Sequence, residues 1–583
     1  MKKTRTEIPR PDFYRKEWST LNGIWGFRFD DENVGIRDKW FLDASPDRKI
    51  NVPFVYQCEK SGIYDKKCHP VFWYFKECSV PSFMVPGKRL FLNYGAVDYC
   101  CDIWINGKHA FSHSGGYVPF SFDVTDFLNE NEKFTVAMRV EDSRSCCQPR
   151  GKQYWEDQPN RCWYTPSSGI WQPVWLECKP PVFIDRLSIV PRIDSSMIEC
   201  CLETNCSSSS LSCFFMEVFF CGRKICSFSS EVKESTYRFS VQIEEEDKID
   251  EIHLWTPESP NLYEVEVTLS TGNQSDAIKT YFGMRKVSIE NGHVLLNNRP
   301  YYQKLVLNQA YWTEGLLTAP NDQAYQNDIE LAKKMGFNGM RLHQKIEDPR
   351  FYYWADKLGM LVWGEMPSTY QFCFESVSNT IKEWQQFIQR DMNHPCIITW
   401  VPLNESWGVR NINSNLQQQE FANTLYHLTK TLDDMRIVST NDGWEQVTSD
   451  LCAIHDYSAN GKDLEKTWAN KALLLAGAAQ KRMIYAEGNK YEGQPILITE
   501  FGGIAFKSDM EGHNWGYSGA VDDMNHFYER FQSLLDYIYS DMDIDGFCYT
   551  QLSDIMQEVN GLVDMSRKPK VDPNVISKIL KQK

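Results

Sequence analysis

The sequence predicts a multidomain β plus α/β protein: a sandwich or jelly-roll, then an immunoglobulin-like β-sandwich, then a C-terminal (β/α)8 TIM barrel. Three observations carry this expectation. Short apolar runs separated by turn signals fill residues 1–180, a second β-rich stretch covers residues 181–285, and from residue 286 to 583 strand-like runs alternate with helical ones. In the first module the runs are Ile24 to Phe29, Leu90 to Leu92, Ile103 to Ile105, Phe134 to Val140 and Val174 to Leu176. Asn106-Gly107 is a two-residue hairpin signal, because both residues accept the positive φ that such a turn requires. The second module has the length of an immunoglobulin-like sandwich. Its Ser-rich tract from Cys206 to Ser212 is expected to be a hairpin loop, Phe214 to Phe220 resumes a strand, and Trp255 to Pro260 makes a rigid bend.

The last module shows eight strand candidates: Gln303 to Leu307, Gly339 to His343, Leu361 to Glu365, Ile398 to Asn404, Ile437 to Asn441, Cys452 to Tyr457, Ile496 to Glu500 and Gly546 to Gln551. Helices lie between them. Tyr325, Ile329, Ala332 and Met335 repeat at helical spacing before Gly336, Asp348-Pro349 is an N-cap followed by proline, and Phe421, Leu425, Leu428 and Leu432 form a stripe. Eight strands in a stretch of this size is the arithmetic of a TIM barrel, which runs to about 250 residues.

Composition removes several functions. The net charge of −16 disfavours nucleic acids and anionic membrane surfaces as partners. No apolar run is long enough to span a bilayer, and Thr4 to Phe13 offers no export segment. The 19 cysteines are odd in number, with adjacent pairs at 100–101, 146–147 and 200–201, so reduced thiols in a cytoplasmic protein are expected. No metal-ligand spacing occurs. Asp541-x-Asp543-x-Asp545-Gly546 opens like a calcium loop, but position 12 would be Leu552 and Gly546 starts an apolar strand. Neither a metal nor another cofactor is expected. Aromatic residues reach 14%, which suits sugar stacking as well as sandwich cores.

A barrel of this type places its chemistry at the C-terminal ends of its strands. Glu405 ends the fourth strand and Glu500 the seventh, 95 residues or three strand–helix units apart. Both can face one cavity, and a close carboxylate pair is what retaining glycoside hydrolysis requires. On spacing alone, caps or partners for arginine explain such carboxylates equally well.

The flanking residues tip the balance. Arg10 to Trp18 followed by Leu21-Asn-Gly-Ile-Trp25, Ser168-Gly-Ile-Trp171, Asn393-His394-Pro395 through Asn404-Glu405, and Thr499-Glu500-Phe501-Gly502 together resemble glycoside hydrolase family 2, which includes β-galactosidases, β-glucuronidases and β-mannosidases. The resemblance spans nearly the whole chain and implies a sugar-binding role for the first domain. It also implies that Glu405 is the general acid/base, that Glu500 is the nucleophile, and that Asn404 hydrogen-bonds the sugar 2-hydroxyl. An acid of this kind needs a raised pKa and a nucleophile a lowered one. Arg341 is either the cation that keeps Glu500 ionised or a structural ion-pair member. His343 on the same strand face either binds a sugar hydroxyl or is a satisfied core histidine. Glu365 is either a substrate ligand or the buried partner of Arg341. Tyr457 matches the family's tyrosine beside the nucleophile, and His455 and Asp456 next to it are further candidates. Trp444, Trp515 and Tyr517 are expected in loops at the mouth as a sugar platform or as packing. Trp163 aligns where β-galactosidases turn an Asp toward the sugar.

Departures from the family bear on the sugar. The Ile-Glu-Thr-His-Gly run that supplies magnesium ligands in large β-galactosidases is replaced by Met366-Pro-Ser-Thr-Tyr370 after Glu365. The Asn-x-Lys pair of β-glucuronidases is replaced by Asn560-Gly561-Leu562, and the eighth strand's tryptophan by Thr550 or Tyr549. The expectation is an exo-acting retaining β-glycosidase acting on a terminal non-reducing sugar, β-galactosidase-like by elimination, with β-glucuronidase, β-mannosidase or another β-glycosidase as alternatives. Its expected partner is a carbohydrate substrate; members of the family it resembles often form homo-dimers or homo-tetramers, while the sequence itself leaves the oligomeric state open. Two other classes compete: a catalytically silent carbohydrate-binding protein, which the two glutamates disfavour, and a metal-dependent hydrolase or lyase, which lacks its ligand spacing.

Overall fold

The computed structural model describes residues 5–43, 45–128, 132–206, 211–243 and 252–581. The N-terminal module packs a four-stranded sheet (Trp18–Thr20, Val174–Lys179, Arg89–Tyr94, Phe120–Asp123) against a six-stranded one. Trp25, Phe27, Phe72, Tyr74, Leu92, Ile103 and Met138 fill the space between them, the inward half of each alternating strand. Asn106 and Gly107 take φ of 50° and 75° between strands Cys100–Ile105 and Lys108–Ser114, as the hairpin signal requires.

The middle module is a three-on-four antiparallel sandwich whose seven strands have the immunoglobulin-like count. The Ser-rich tract lies mostly at residues 207–210, outside the described residues. Trp255 in the bend after this tract is fully buried and donates Nε1 to Asp356 O at 2.9 Å, pinning the sandwich to the barrel.

The barrel strands are β1 (Gln303–Asn308), β2 (Gly339–Leu342), β3 (Leu361–Glu365), β4 (Ile397–Val401, continued by Leu403–Asn404), β5 (Ile437–Val438, continued by Asn441–Asp442), β6 (Cys452–Asp456), β7 (Ile496–Gly502) and β8 (Ile544–Thr550). They pair in parallel in the order 5-4-3-2-1-8-7-6, so the hydrogen-bonded ladder runs round the ring and stops between β5 and β6. Helices Asp322–Met335, Pro349–Leu358, Phe374–Asp391 and Leu416–Leu432 cover β1 to β4. The first is capped by Asn321 and stopped at Gly336, and the second is capped by Asp348 with Pro349 at its first position. Between β5 and β6 there is only a loop, residues 443–451.

All 19 cysteines are free thiols. The acidic triplet at 541–545 is taken up elsewhere: Asp545 binds His293 Nδ1 and Val294 N, and Asp543 pairs with Lys471. Among the described residues no helix is long and apolar enough to cross a membrane.

Candidate active site

Arg341, near the end of β2, is completely buried and organises the barrel mouth. Nε donates to Glu365 at 2.8 Å, Nη1 to Glu500 at 3.2 Å and to Thr499 O at 3.1 Å, and Nη2 to Asn404 Oδ1 at 2.7 Å. Asp442 Oδ1 lies 2.9 Å from Nη1. One guanidinium therefore ties together the ends of β3, β4, β5 and β7, which its rigid fork of five donors suits. Asp442 also accepts from Ser439 Oγ at 2.7 Å, and Arg341 and His455 outweigh its burial and hold its carboxyl well below the usual range.

His455 bridges the two glutamates. Nδ1 is 2.9 Å from Glu405 Oε1, Nε2 is 2.8 Å from Asp442 Oδ1, and Glu500 Oε2 is 3.6 Å away. Burial disfavours charge on this ring, but the carboxylates of Glu500, Asp442 and Glu405 outweigh it and push the imidazolium up to about 10. Burial would raise Glu405, yet the hydrogen bond and charge of His455, with Lys152 behind it, pull it down to about 2. This differs from the raised pKa expected of an acid, and the reason is His455: in the free site the proton rests on the imidazole.

The backbone presents Glu405 at a price in strain. Glu405 and Ser406 have φ of 52° and 57°, a left-handed region costly for residues with a side chain. Glu405 N donates to Asp442 O at 2.9 Å, Ser406 N to Asn441 Oδ1 at 3.0 Å, and Ser406 Oγ to Glu445 at 2.6 Å, which hold the elbow. Trp407 Nε1 reaches Glu405 Oε2 at 3.3 Å. On β7, Glu500 accepts from Tyr457 Oη as well as from Arg341.

Donor atoms of Glu405, His455 and Glu500 fall within 4.8 Å of one another, a spacing that could hold a cation. Arg341 already supplies positive charge there, 3.2 Å from Glu500 and 3.3 Å from His455.

The other expected residues sort as follows. Asn404 gives its oxygen to Arg341, while its buried Nδ2 has no partner among the described residues. His343 Nδ1 lies 3.1 Å from Glu365, and burial, reinforced by Lys152, keeps the ring neutral. Glu365 is thus the partner of both Arg341 and His343, with burial raising it to about 7 against Arg341. Asp456 turns away: its oxygens accept from Ser458 N and Trp468 Nε1, so it stands outside the cluster. Trp444 in the β5–β6 loop packs edge-on to His455 at 5.5 Å between ring centroids. Tyr517 stacks on Tyr457 at 4.1 Å, and Trp515 packs on Tyr517 and donates to Arg161 O. Trp163 meets Trp407 at 5.1 Å, one ring removed from Glu405. At the end of β8, Thr550 Oγ1 lies 3.4 Å from Tyr457 Oη, whereas Tyr549 packs between Phe501 and Phe531.

Four residues of the site were not foreseen. Asp442 sits one residue beyond the expected end of β5, where a strand-end carboxylate was a usable signal. Trp407, two residues after Glu405, follows the same logic. Lys152 and Glu558 lie in loops and carry no local signal.

Residues 18–180 match the model for the sugar binding domain of glycosyl hydrolases family 2, residues 182–285 a model described as glycosyl hydrolases family 2, and residues 287–570 that family's TIM barrel domain. A β-galactosidase of Thermoanaerobacter pseudethanolicus is 27% identical over 425 residues, covering 71% of this chain and 53% of that protein. A β-glucuronidase of Streptococcus agalactiae is 23% identical over 527 residues, covering 83% and 82%. The chain spans about half the length of the first curated relatives it matches. In structure, the β-glucuronidase of Ruminococcus gnavus superposes with a TM-score of 0.77 at 18% identity over 100% of both chains, a likeness of fold. With all three domain models matched in order, and the strand ends carrying the expected glutamates, the chain belongs to glycosyl hydrolases family 2.

Proposed function

We propose that this protein is an exo-acting retaining β-glycosidase that hydrolyses terminal non-reducing β-linked sugars by double displacement. The observation that carries it is the approach of Glu405 and Glu500 to within 4.8 Å across His455. Retaining pairs stand about 5–5.5 Å apart, whereas inverting pairs leave about 6.5–9.5 Å for a water.

Glu500, oriented by Arg341 and Tyr457, attacks the anomeric carbon as the bond to the leaving oxygen breaks. The leaving oxygen takes a proton from the Glu405–His455 pair, which holds one between its atoms 2.9 Å apart. Water then attacks the glycosyl-enzyme, Glu405 receives its proton, and Glu500 is released. The free Nδ2 of Asn404 suits the 2-hydroxyl, a contact that strengthens as charge develops on the ring. Docking of the N-terminal domain on the mouth favours a pocket that takes one chain end. Leu562, where β-glucuronidases carry the lysine of their Asn-x-Lys pair, supports β-galactosidase-like specificity, and the 19 free thiols support a cytoplasmic setting. The proposed ligand is a carbohydrate, with no cofactor.

Proton NMR of the first product formed from a nitrophenyl β-glycoside tests the mechanism. The β-anomer must appear first and Glu500→Gln must abolish turnover. First release of the α-anomer, or full turnover by Glu500→Gln, overturns the reading. Nitrophenyl β-galactoside, glucuronide, mannoside, glucoside and arabinoside rank the sugar.

A further inference from the structure

Residues 150–164 leave the N-terminal sandwich and lie on the barrel mouth. Arg150 N and Gly151 N both donate to Ser368 O, at 2.9 and 3.0 Å, and Tyr370 Oη donates to Gly151 O. Gly151 has φ of 58°, and a Cβ there would stand 2.3 Å from Gln344 O, so this close approach needs glycine. On the return, Tyr164 N donates to Lys152 O at 2.8 Å and Tyr164 Oη to Glu558 at 2.6 Å.

Lys152 is fastened between these anchors and is only 4% exposed, yet its ammonium has no hydrogen-bond or ion-pair partner among the described residues. Tyr164, bonded to Lys152 O through its backbone and to Glu558 through its hydroxyl, sets the two residues near each other, and the charges of Glu558, Glu405 and Glu500 act on the Lys152 ammonium, so it lies beside the catalytic pair. Glu558 is fully buried and is held by neutral donors only: Tyr164 at 2.6 Å, Gln551 at 3.0 Å and Asn560 at 3.4 Å. A largely enclosed ammonium without a protein acceptor is costly, and so is a buried carboxylate without a cation in contact. Both costs fall if a ligand lies between them.

The charge of the cavity limits what that ligand can be. Arg341 and His455 are fully engaged with protein carboxylates, which leaves Lys152 alone facing Glu405, Glu500 and Glu558. A sugar carboxylate would add a further negative charge to a group in which carboxylates already outnumber cations. A hydroxyl brings no charge, and it can accept from an ammonium while donating to a carboxylate. We propose that Lys152 and Glu558 together read a hydroxyl of an uncharged sugar in the glycone subsite, which makes neutral β-glycosides the preferred substrates and disfavours uronides. This rests on the retaining-glycosidase reading and adds a specificity site shared by two domains.

The test uses the full chain and the neutral sugar with the highest turnover, supplied as the parent nitrophenyl glycoside and its 3-, 4- and 6-deoxy forms. With the wild type, one deoxy form should lose at least about a hundredfold in kcat/KM, as sites built around a hydroxyl do. In Lys152→Met and in Glu558→Gln that penalty should collapse to a few-fold, which a merely structural defect would not produce. Glu558→Gln keeps the side-chain volume and carries the comparison should Lys152→Met not fold. Deoxy penalties equal in wild type and variants, or a wild type that prefers a glucuronide or galacturonide to every neutral sugar, would overturn the proposal. Glu500→Gln separates the two readings: turnover retained there sinks the double-displacement mechanism, whereas its loss alongside unchanged deoxy penalties sinks only the hydroxyl reader.

Discussion

Replacing His455 with Asn removes a proton from the site while leaving a polar side chain of similar reach. In the wild type that proton stays on the imidazolium until about pH 10, because Glu500, Asp442 and Glu405 surround it. Without the ring, Glu405 must hold the proton itself. Two other buried carboxyls at the mouth, Glu365 and Glu558, show what burial does there: both are raised to about 7. The alkaline limb of kcat/KM on an alkyl or nitrophenyl glycoside should therefore fall from about 10 to about 7. At pH 9 the variant would retain about one-hundredth of its own pH 6 value, while the wild type stays flat across that interval. A dinitrophenyl glycoside leaves without protonation and should show no such shift, which separates proton supply from damage to the pocket. An alkaline limb that stays above pH 9 in His455→Asn would refute the idea that His455 stores the proton.

Other outcomes follow from the same geometry. Tyr457→Phe removes one of the donors to Glu500 and should lower kcat about ten- to a hundredfold with little change in KM, since orientation of the nucleophile is lost rather than uniform binding. Thermal melting should also respond to pH. His455 has a raised pKa, so its stabilisation is complete below its ordinary value of about 6.5 and is lost as pH climbs toward about 10. Glu405 has a depressed pKa, so its contribution is complete above its ordinary value and disappears as pH falls toward about 2. His455→Asn should flatten the alkaline flank of the melting profile. Prolonged chelation should leave kcat unchanged, because Arg341 already places positive charge among the catalytic carboxylates; recovery of lost activity by added magnesium would contradict this.

Much of the barrel could be read from the chain because parallel strands buried on both faces appear as short, nearly continuous apolar runs, and chemistry collects where those runs end. Glu405, Glu500, Glu365 and Arg341 were visible on that basis. Asp442 was missed by a single residue at a strand boundary, the least determinate part of any such reading. Asp456 could have been set aside at once: neighbours in a strand point to opposite faces, so His455 and Asp456 could not both face the mouth. The short interval of residues 443–451 likewise left no room for a helix after β5. Lys152 and Glu558 are different, because they come near each other only when two folded domains dock, and no local periodicity encodes that.

The loop carrying Lys152 has a consequence for how such proteins diversify. If part of the sugar is read from the first domain, recombination that exchanges this domain between relatives would change substrate choice without altering one barrel residue. The motifs around Glu405 and Glu500 would then report a shared reaction and say little about the sugar, which agrees with relatives named for both galactosides and glucuronides. The catalytic domain is in that sense an incomplete heritable unit. The exchange would have to preserve the seam at Gly151, where Gln344 O leaves no room for a side chain and a single methyl group would push the loop away from the barrel mouth.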